Sequence, residues 1–294
     1  MQQAMTIETL LLYDSELSSL PEIFIRVSEL LDDENSSSVQ IGQVVETDPS
    51  LTSRILKMVN SAYYGFQNTV ASISQAISIL GRDRIRQILV GAVLGGVFGN
   101  MKNKVFFMED YWHHSVKTAI LSRLLCRESK ISDEAESLFT AGLLHEIGRL
   151  ILVQKMPELA QEVENAVETE GENIYQAELR IFGYTHCEVG AAFITHWGLP
   201  DILSEISKYH HTPEKAEKYV QEVKIVNLAK NISFLISPIQ QIEVEFVLED
   251  VAGWQDIGLS EEKITEICIE ADEQVYQVME SLGMVQLKIE LDDD

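Results

Sequence analysis

The sequence predicts an all-α fold, and three observations carry that prediction. Apolar residues recur at helical spacing along most of the chain. One such stripe comprises Leu51, Ile55, Met58, Val59 and Ala62. Capping patterns mark the starts of helices, and glycines follow several of their ends. Strand-like alternation is almost absent, and its best instance comprises Val285, Leu287 and Ile289.

The N-terminal third is predicted to be a series of capped helices. An early stripe comprises Ile23, Val27, Leu30 and Leu31. The predicted helix starts are Ser37 with Gln40, Asp48 before Pro49, and Ser72 with Gln75. Gly65 and Gly81 are predicted to end the segments that precede them.

An arginine cluster and an apolar run follow. Arg82, Arg84 and Arg86 are interpreted as a solvated helix start in preference to a docking site for an acidic partner or a phosphate. The run from Ile88 to Phe98 is about half the ~20 residues that a membrane-spanning helix needs, so a buried helix is predicted.

Composition changes suggest three segments. A polar stretch at 100–104 is the predicted seam after an N-terminal helical bundle, 1–104. A histidine-bearing bundle is predicted over 105–245, and a C-terminal helix with an acidic tail over 246–294. The heptad-like stripe of that helix comprises Ile264, Cys268, Ala271, Val275, Val278 and Leu282. Packing on the body is favoured over pairing with a second copy because the repeat is short.

Charge and cysteine content limit the functional class. The formal net charge of −25 disfavours nucleic acid as a partner, since phosphate backbones attract proteins through Lys and Arg. Three widely separated cysteines fit a reducing compartment, where we expect them to be small core residues. The N-terminal sequence has no secretion signal pattern, so a cytoplasmic location with no membrane partner is expected.

Six potential metal ligands recur on or beside predicted helices in the middle of the chain. They are His114, His145, Glu146, His186, His210 and His211. First-row transition ions accept imidazole and carboxylate, so a set drawn from several helices is typical of a metal centre in a bundle core. For each residue alone, a structural role as a hydrogen-bonded core side chain or a helix-end cation remains open.

Local patterns refine these expectations. His145 continues a buried helical stripe, and Gly142 and Gly148 in the same predicted helix suggest close approach of another backbone. Thr185 with Glu188 forms a capping box that puts His186 in the first turn of a helix. His196 is expected to be a core histidine.

The order of these residues resembles the HD superfamily of metal-dependent phosphohydrolases, with its pattern of His, His-Asp, further His and Asp. Surrounding phrases resemble the HDOD family, the HD-related output domain of bacterial signalling proteins, over about residues 15–285. The phrases are Leu20-Pro21, Asp48-Pro49-Ser50-Leu51, Asn60 to Gly65, Ile73 to Ile77, Leu80-Gly81, and Gly190 through Trp197 to Pro200.

The resemblance implies an HD-like helical bundle with an N-terminal sub-bundle and a C-terminal helix, and a regulatory role. It also implies a degenerate metal site, because Glu146 replaces the Asp of the dyad and Lys230 stands where the last metal-ligating Asp would be. Asn227 and Arg149 are expected beside the pocket. Lys230 is predicted to donate to Glu146. The expected cofactor is none, or one divalent Fe, Mn, Zn or Ni ion.

Three functions stay open at this point. The favoured one is a non-catalytic signalling module that binds a signalling protein or a small effector. The second is a metal-dependent phosphohydrolase acting on a nucleotide or cyclic nucleotide, with Arg149 or Lys230 stabilising phosphate charge. The third is a structural unit that forms a homodimer through the C-terminal helix. No catalytic residue is assigned.

Overall fold

The computed structural model describes residues 6–12, 21–99, 101–235 and 253–285. These residues form α-helices and two short 3₁₀-helices and contain no strand, which confirms the predicted all-α class. Leu287 and Ile289 of the suggested strand, Leu20 of the family phrases, and the acidic tail lie outside the described residues. The helices are α1 (Ile7–Leu12), α2 (Glu22–Asp32), α3 (Ser38–Val45), α4 (Pro49–Val59), α5 (Ile73–Leu80), α6 (Arg82–Phe98), α7 (Met108–Ser129), α8 (Ala135–Leu144), α9 (Ile147–Lys155), α10 (Pro157–Glu170), α11 (Ile174–Ile181), α12 (His186–His196), α13 (Asp201–Tyr209), α14 (Val220–Leu235) and α15 (Glu261–Leu282).

The chain divides into two compact units. We call the described parts of residues 1–20 and 102–272 the histidine unit, and those of residues 21–101 and 273–294 the N-terminal unit. The chain passes from the N-terminal unit to the histidine unit between residues 101 and 102, which lies within the predicted seam at 100–104. The histidine unit also takes in α1 and the first part of α15, which the segments 1–104 and 246–294 had placed elsewhere.

Local capping explains the helix starts of the N-terminal unit. Ser37 and Gln40 form the predicted reciprocal capping box of α3. The Asp48 carboxylate accepts hydrogen bonds from the first-turn amides of α4, at 2.9 and 3.0 Å. Ser72 caps α5 as predicted. Gly81, at φ +83°, follows α5 directly, whereas Gly65 ends a turn that lies beyond α4.

Arg82 differs from its expected role as a solvated side chain. Its guanidinium donates to the carbonyl oxygens of Leu31 at 3.1 Å and Asp33 at 2.6 Å, and also to that of Ser36. Arg86 pairs with Asp32 at 2.6 Å. The carbonyls at the end of a helix have no partner within that helix. Arg82 therefore supplies donors around the end of α2 and is a structural residue of the N-terminal unit.

The C-terminal helix is buried along its heptad-like stripe. Ile264, Ala271, Val278 and the other stripe residues are 5% exposed or less. Within the N-terminal unit, α6 approaches the end of α15 so closely that a Cβ on Gly95 would lie 1.8 Å from the carbonyl oxygen of Leu282. The stripe residues are thus buried within the chain, which agrees with the favoured prediction that this helix packs on the body.

The histidine unit is arranged around α7. This helix packs against α8 and α14, while α12 packs against α9 and α13. The α8–α9 junction, the start of α12 and the end of α13 consequently meet near α7 and α14. No helix in the described part of the chain combines the length and apolar character needed to cross a bilayer.

Candidate metal centre

The structure brings all six predicted ligands into one buried pocket of the histidine unit. Together with Cys187, which was not among the predicted ligands, they form two groups of potential ligand atoms, and within each group every atom lies within 4.8 Å of the others. The first group is His114, His145 and Glu146. The second is His186, Cys187, His210 and His211.

His145 and Glu146 occupy a break between two helices. A single helix through the dyad was expected, but α8 ends at Leu144 and α9 begins at Ile147. The predicted close approach is present on both sides: a Cβ on Gly148 would lie 2.0 Å from the His186 carbonyl oxygen, and one on Gly142 would lie 2.6 Å from Cα of Ala119. The break allows two adjacent side chains, both buried, to enter one pocket.

The first group is held by hydrogen bonds that leave ring nitrogens facing inward. His145 Nδ1 donates to the Gly142 carbonyl oxygen at 2.7 Å, which leaves Nε2 with its lone pair. His114 Nδ1 lies 3.2 Å from Ser233 Oγ. The two Nε2 atoms are 3.3 Å apart. A tetrahedral ion with metal–nitrogen bonds of about 2.05 Å places two ligand nitrogens about 3.3 Å apart, so this pair is spaced as ligands of one ion are.

His186 is fixed by a residue that the sequence did not single out. Glu178 in α11 accepts from the His186 main-chain N–H at 2.9 Å and from its Nδ1 at 2.7 Å. The capping box of Thr185 and Glu188 forms as predicted and positions the start of α12. A carboxylate behind a histidine orients the ring and makes its other nitrogen a better ligand. His186 Nε2 is thereby directed into the pocket.

His210 and His211 follow the end of α13, as predicted. His210 Nδ1 donates to the Ser207 carbonyl oxygen at 2.8 Å, and Asn227 Nδ2 donates to the His210 carbonyl oxygen at 2.6 Å. His210 Nε2 is directed towards Glu146 but has no hydrogen-bond partner among the described residues. Asn227 therefore supports the backbone of a potential ligand.

Glu146 lies at the centre of the pocket. Its Oε1 is 3.6 Å from His210 Nε2 and 3.7 Å from His211 Nε2, and its Oε2 is 3.6 Å from His186 Nε2. Within the described part of the chain, Oε2 has no hydrogen-bond donor. A buried carboxylate oxygen without a donor is costly unless a cation contacts it. This spacing leaves the carboxylate facing the histidines from just beyond hydrogen-bond length.

Lys230 turns inward but contacts a different partner from the one predicted. Its Nζ lies 3.0 Å from His211 Nδ1, and no ion pair joins it to Glu146 among the described residues. An ammonium group can only donate, so His211 Nδ1 accepts and the ring proton resides on Nε2. Lys230 thus leaves a proton, and no lone pair, on the His211 nitrogen that faces Glu146 at 3.7 Å, and so removes His211 from the set of available ligands.

Arg149 lies at the edge of the pocket with its guanidinium already engaged. It pairs with Glu164, and its Nε is 3.9 Å from Glu146 Oε2. The guanidinium also lies 5.3 Å from the centre of the Phe106 ring. These contacts occupy part of the guanidinium group that the hydrolase hypothesis assigned to phosphate.

Cys187 belongs to the second group, although the sequence suggested only a core residue. Its Sγ lies 3.4 Å from His186 Nε2, and it is buried like Cys126 and Cys268. The position of Cys187 next to His186 could have indicated a place in the pocket. Adjacent side chains on a helix usually point about 100° apart, however, so the sequence did not predict that both enter it. His196 is exposed, so the expectation of a core histidine was wrong.

Electrostatics keep several imidazoles neutral. Burial lowers the pKa of His114 to about 3, with His145 adding to the effect, and burial beside His211 lowers the pKa of His210 to about 3. Burial acts against protonation of His186, but Cys187, Glu178 and Glu146 raise its pKa well above the usual value. Burial also opposes ionisation of Glu146, yet His186, His210 and His211 hold its pKa well below the ordinary range.

These features fit one divalent transition ion. Metal binding requires neutral imidazoles and ionised carboxylates, and an arriving ion displaces the second proton of a protonated imidazole such as that of His186. The inward-facing nitrogens of His114, His145, His186 and His210, together with Glu146, meet that requirement. Lys230 adds an ammonium group at the edge of this pocket, beside His211.

Comparison with known proteins agrees with this architecture. A protein crystallised from Geobacter sulfurreducens as an HDOD domain protein of unknown function superposes with a TM-score of 0.69 at 24% identity, covering 96% of this chain and 100% of that one. A proposed phosphohydrolase from Shewanella amazonensis SB2B gives a TM-score of 0.72 at 22% identity, covering 94% and 98%. These likenesses establish the shared fold.

Two further matches extend the comparison. A proposed signal transduction protein from Marinobacter aquaeolei VT8 has a TM-score of 0.68 at 24% identity, covering 97% of this chain and 62% of that chain. An uncharacterized protein of Treponema pallidum (strain Nichols) is 22% identical over 231 residues, which is 77% of this chain and 44% of the relative. The chain thus spans less than half the length of that relative.

The HDOD domain model matches residues 17–213, which is more than half of the sequence and contains all six predicted ligands. The chain belongs to the HDOD domain family.

Proposed function

We propose that this protein is a cytoplasmic, non-catalytic HDOD signalling module whose pocket holds one divalent ion. The observation that carries the proposal is the hydrogen bond from Lys230 to His211 at 3.0 Å. Lys230 replaces a carboxylate ligand of the HD pattern with a cation, and the same contact removes His211 from the ligand set. An ammonium has no lone pair for a metal and repels it at short range.

The ion in this pocket would be held by histidines and Glu146, and would cross-link the α8–α9 junction, which carries Glu146, to the start of α12 and the end of α13, which position His186 and His210. A bound divalent ion can also activate water for hydrolysis. Such hydrolysis requires a group that stabilises developing phosphate charge. Arg149 is paired with Glu164, and Lys230 is paired with His211, so the two cations that the hydrolase hypothesis assigned to phosphate have other partners.

The module acts, in this proposal, by binding a signalling protein or a small effector. An ion that joins helices from separate parts of the unit makes their arrangement dependent on the pocket. Occupancy of the pocket can thereby change a surface that a partner reads, provided that the partner or effector prefers one arrangement.

The test combines metal analysis with hydrolysis assays. Protein purified without added metal is analysed for transition ions, then assayed on phosphomonoester and phosphodiester substrates with and without Mn²⁺. We expect one ion per chain and no turnover above that of the His145→Ala variant. Turnover that His145→Ala abolishes would overturn the regulatory proposal.

A Lys230→Asp variant examines the observation on which the proposal depends. Restoring a carboxylate removes the ammonium and frees His211 for ligation, so the number of tightly bound Mn²⁺ ions is expected to rise. Lys230→Met removes the charge without adding a ligand and serves as the matched control. Equal metal content in all three proteins would contradict the role assigned to Lys230.

A further inference from the structure

The thiol of Cys187 stands out as an unused potential ligand in the second group. Cys187 is 1% exposed and lies in the same 4.8 Å group as the His186 and His210 ring nitrogens. Its Sγ is 3.4 Å from His186 Nε2. For tetrahedral zinc, bond lengths of about 2.3 Å to sulfur and 2.05 Å to nitrogen place those ligand atoms about 3.5 Å apart.

The neighbouring atoms have the same spacing and are unsatisfied. Glu146 Oε2 is 3.6 Å from His186 Nε2, and Glu146 Oε1 is 3.6 Å from His210 Nε2. Neither Glu146 Oε2 nor His210 Nε2 has a hydrogen-bond partner in the described ranges, and both residues are buried. Two buried polar atoms without partners therefore lie next to the histidines that are grouped with the thiol.

Ligand number favours this group over the first. His114, His145 and Glu146 give three ligands, and Lys230 stands in place of the fourth residue of the HD pattern. The second group has three ligands once Lys230 has withdrawn His211, and Glu146, which lies 3.6 Å from the Nε2 atoms of both His186 and His210, makes a fourth. Two of those four are anionic when the thiol is ionised, which offsets the charge of a divalent ion near the Lys230 ammonium.

We infer that Cys187 is a thiolate ligand and that the pocket is a Cys-His-His-Glu site for a thiophilic divalent ion such as Zn²⁺ or Co²⁺. The inference rests on the proposed function in one respect, the presence of one ion in this pocket. On binding, the thiol loses its proton to solvent and sulfur donates a lone pair to the ion, with no change of oxidation state. Sulfur ligation favours zinc-like ions over Mn²⁺ or Mg²⁺, which prefer oxygen.

The same contacts could serve a nucleophilic thiol, since His186 lies between Cys187 and Glu178 as the base of a triad would. Burial argues against that use, because Cys187 and His186 are each 1% exposed or less and a reacting substrate must reach sulfur. Metal ligation needs access only for an ion. The structure therefore favours the ligand role.

The experiment uses Co²⁺ alone, added to the reduced full chain, with absorption spectroscopy as the readout. We expect one equivalent of Co²⁺ to produce a sulfur-to-cobalt charge-transfer band in the near ultraviolet. The band should be lost in Cys187→Ser and retained in the double variant Cys126→Ser/Cys268→Ser, where Cys187 is the remaining thiol. The double variant keeps the test independent of how well Cys187→Ser folds.

The outcomes separate this inference from the proposed function. Cobalt bound without the charge-transfer band, or a band that persists in Cys187→Ser, would overturn the thiolate ligand while leaving a non-catalytic module intact. Absence of bound cobalt would also overturn the ligand inference. Rapid alkylation of Cys187 by iodoacetamide that Co²⁺ does not slow would favour the nucleophilic thiol and overturn the inference too. His145-dependent phosphoester turnover would instead defeat the proposed function, even with the band present.

Discussion

The interiors of the two units differ in kind. Among the described residues of the N-terminal unit, the buried polar side chains are Ser36, Ser61 and Ser281. The histidine unit buries charged and imidazole groups, namely His113, Lys117, His145, Glu146, Glu178, His186 and His210. Apolar burial and local caps suffice for the first unit, whereas each buried charge in the second needs a partner. The comparison separates the part of the chain that maintains structure from the part that carries chemistry.

The largest expected effect on stability comes from a cavity in the N-terminal unit. Ile55 in α4 is fully buried, so Ile55→Ala is expected to lower the free energy of unfolding by about 2–5 kcal/mol. Metal content per folded chain should stay unchanged because the substitution lies in the other unit. Chemical denaturation and elemental analysis measure the two quantities. A parallel loss of metal would break the distinction between the units.

Two glycine substitutions sharpen the same distinction. A Cβ on Gly148 meets the His186 carbonyl oxygen, and one on Gly95 meets that of Leu282, in both cases backbone rather than a flexible side chain. Gly148→Ala and Gly95→Ala are each expected to cost about 1–3 kcal/mol through overpacking. Only Gly148→Ala should also reduce Zn²⁺ binding, because it displaces the start of α12. Equal Zn²⁺ affinity in the two variants, measured by competition with a chelator, would contradict this expectation.

Glu178 provides a test within the histidine unit. Glu178→Gln weakens the carboxylate behind His186 while preserving shape, and loss of such an outer partner typically lowers metal affinity by about 10–100-fold. Glu172→Gln is the matched control, since Glu172 pairs with Arg180 at the surface. Isothermal titration with Zn²⁺ gives both affinities. Unchanged affinity in Glu178→Gln would show that His186 does not bind the ion.

The smallest expected effect concerns a helix cap. Asp48 caps α4 through two main-chain amides, so Asp48→Ala should cost about 1 kcal/mol. Asp48→Asn keeps a side-chain oxygen and should retain most of that stability. Both variants should bind metal as the original protein does. Thermal unfolding curves compare the three proteins, and a cost in Asp48→Asn equal to that of Asp48→Ala would exclude capping as the cause.

The features that were predicted correctly from the sequence are those that depend on residues close together in the chain. The helical class, the caps at Ser37, Asp48 and Thr185, and the close approach at Gly148 all follow from local patterns, and the structure contains them. The prediction that His196 is a core residue was wrong because His196 is the last residue of α12. Helical spacing no longer indicates which side chains face inward once the helix ends.

Much of the pocket depends on contacts between separate helices. Glu178 lies on α11, one helix before the residue that it fixes, and nothing in its immediate sequence distinguishes it from the many surface glutamates. The inward turn of Lys230 was predictable from the resemblance, but its choice of His211 over Glu146 depends on how α14 approaches α13. Hydrogen-bond partners on different helices are determined by how those helices pack, and a short sequence motif does not specify that packing.

One carboxylate, that of Glu178, holds both the main-chain amide and the ring of His186. Rotation of this imidazole is therefore restricted before any ion arrives, and the loss of side-chain freedom has occurred during folding. The entropy change on ion binding should consequently come mainly from the release of water molecules from the ion. Calorimetry would register that as a favourable entropy of binding that diminishes when the ring is released.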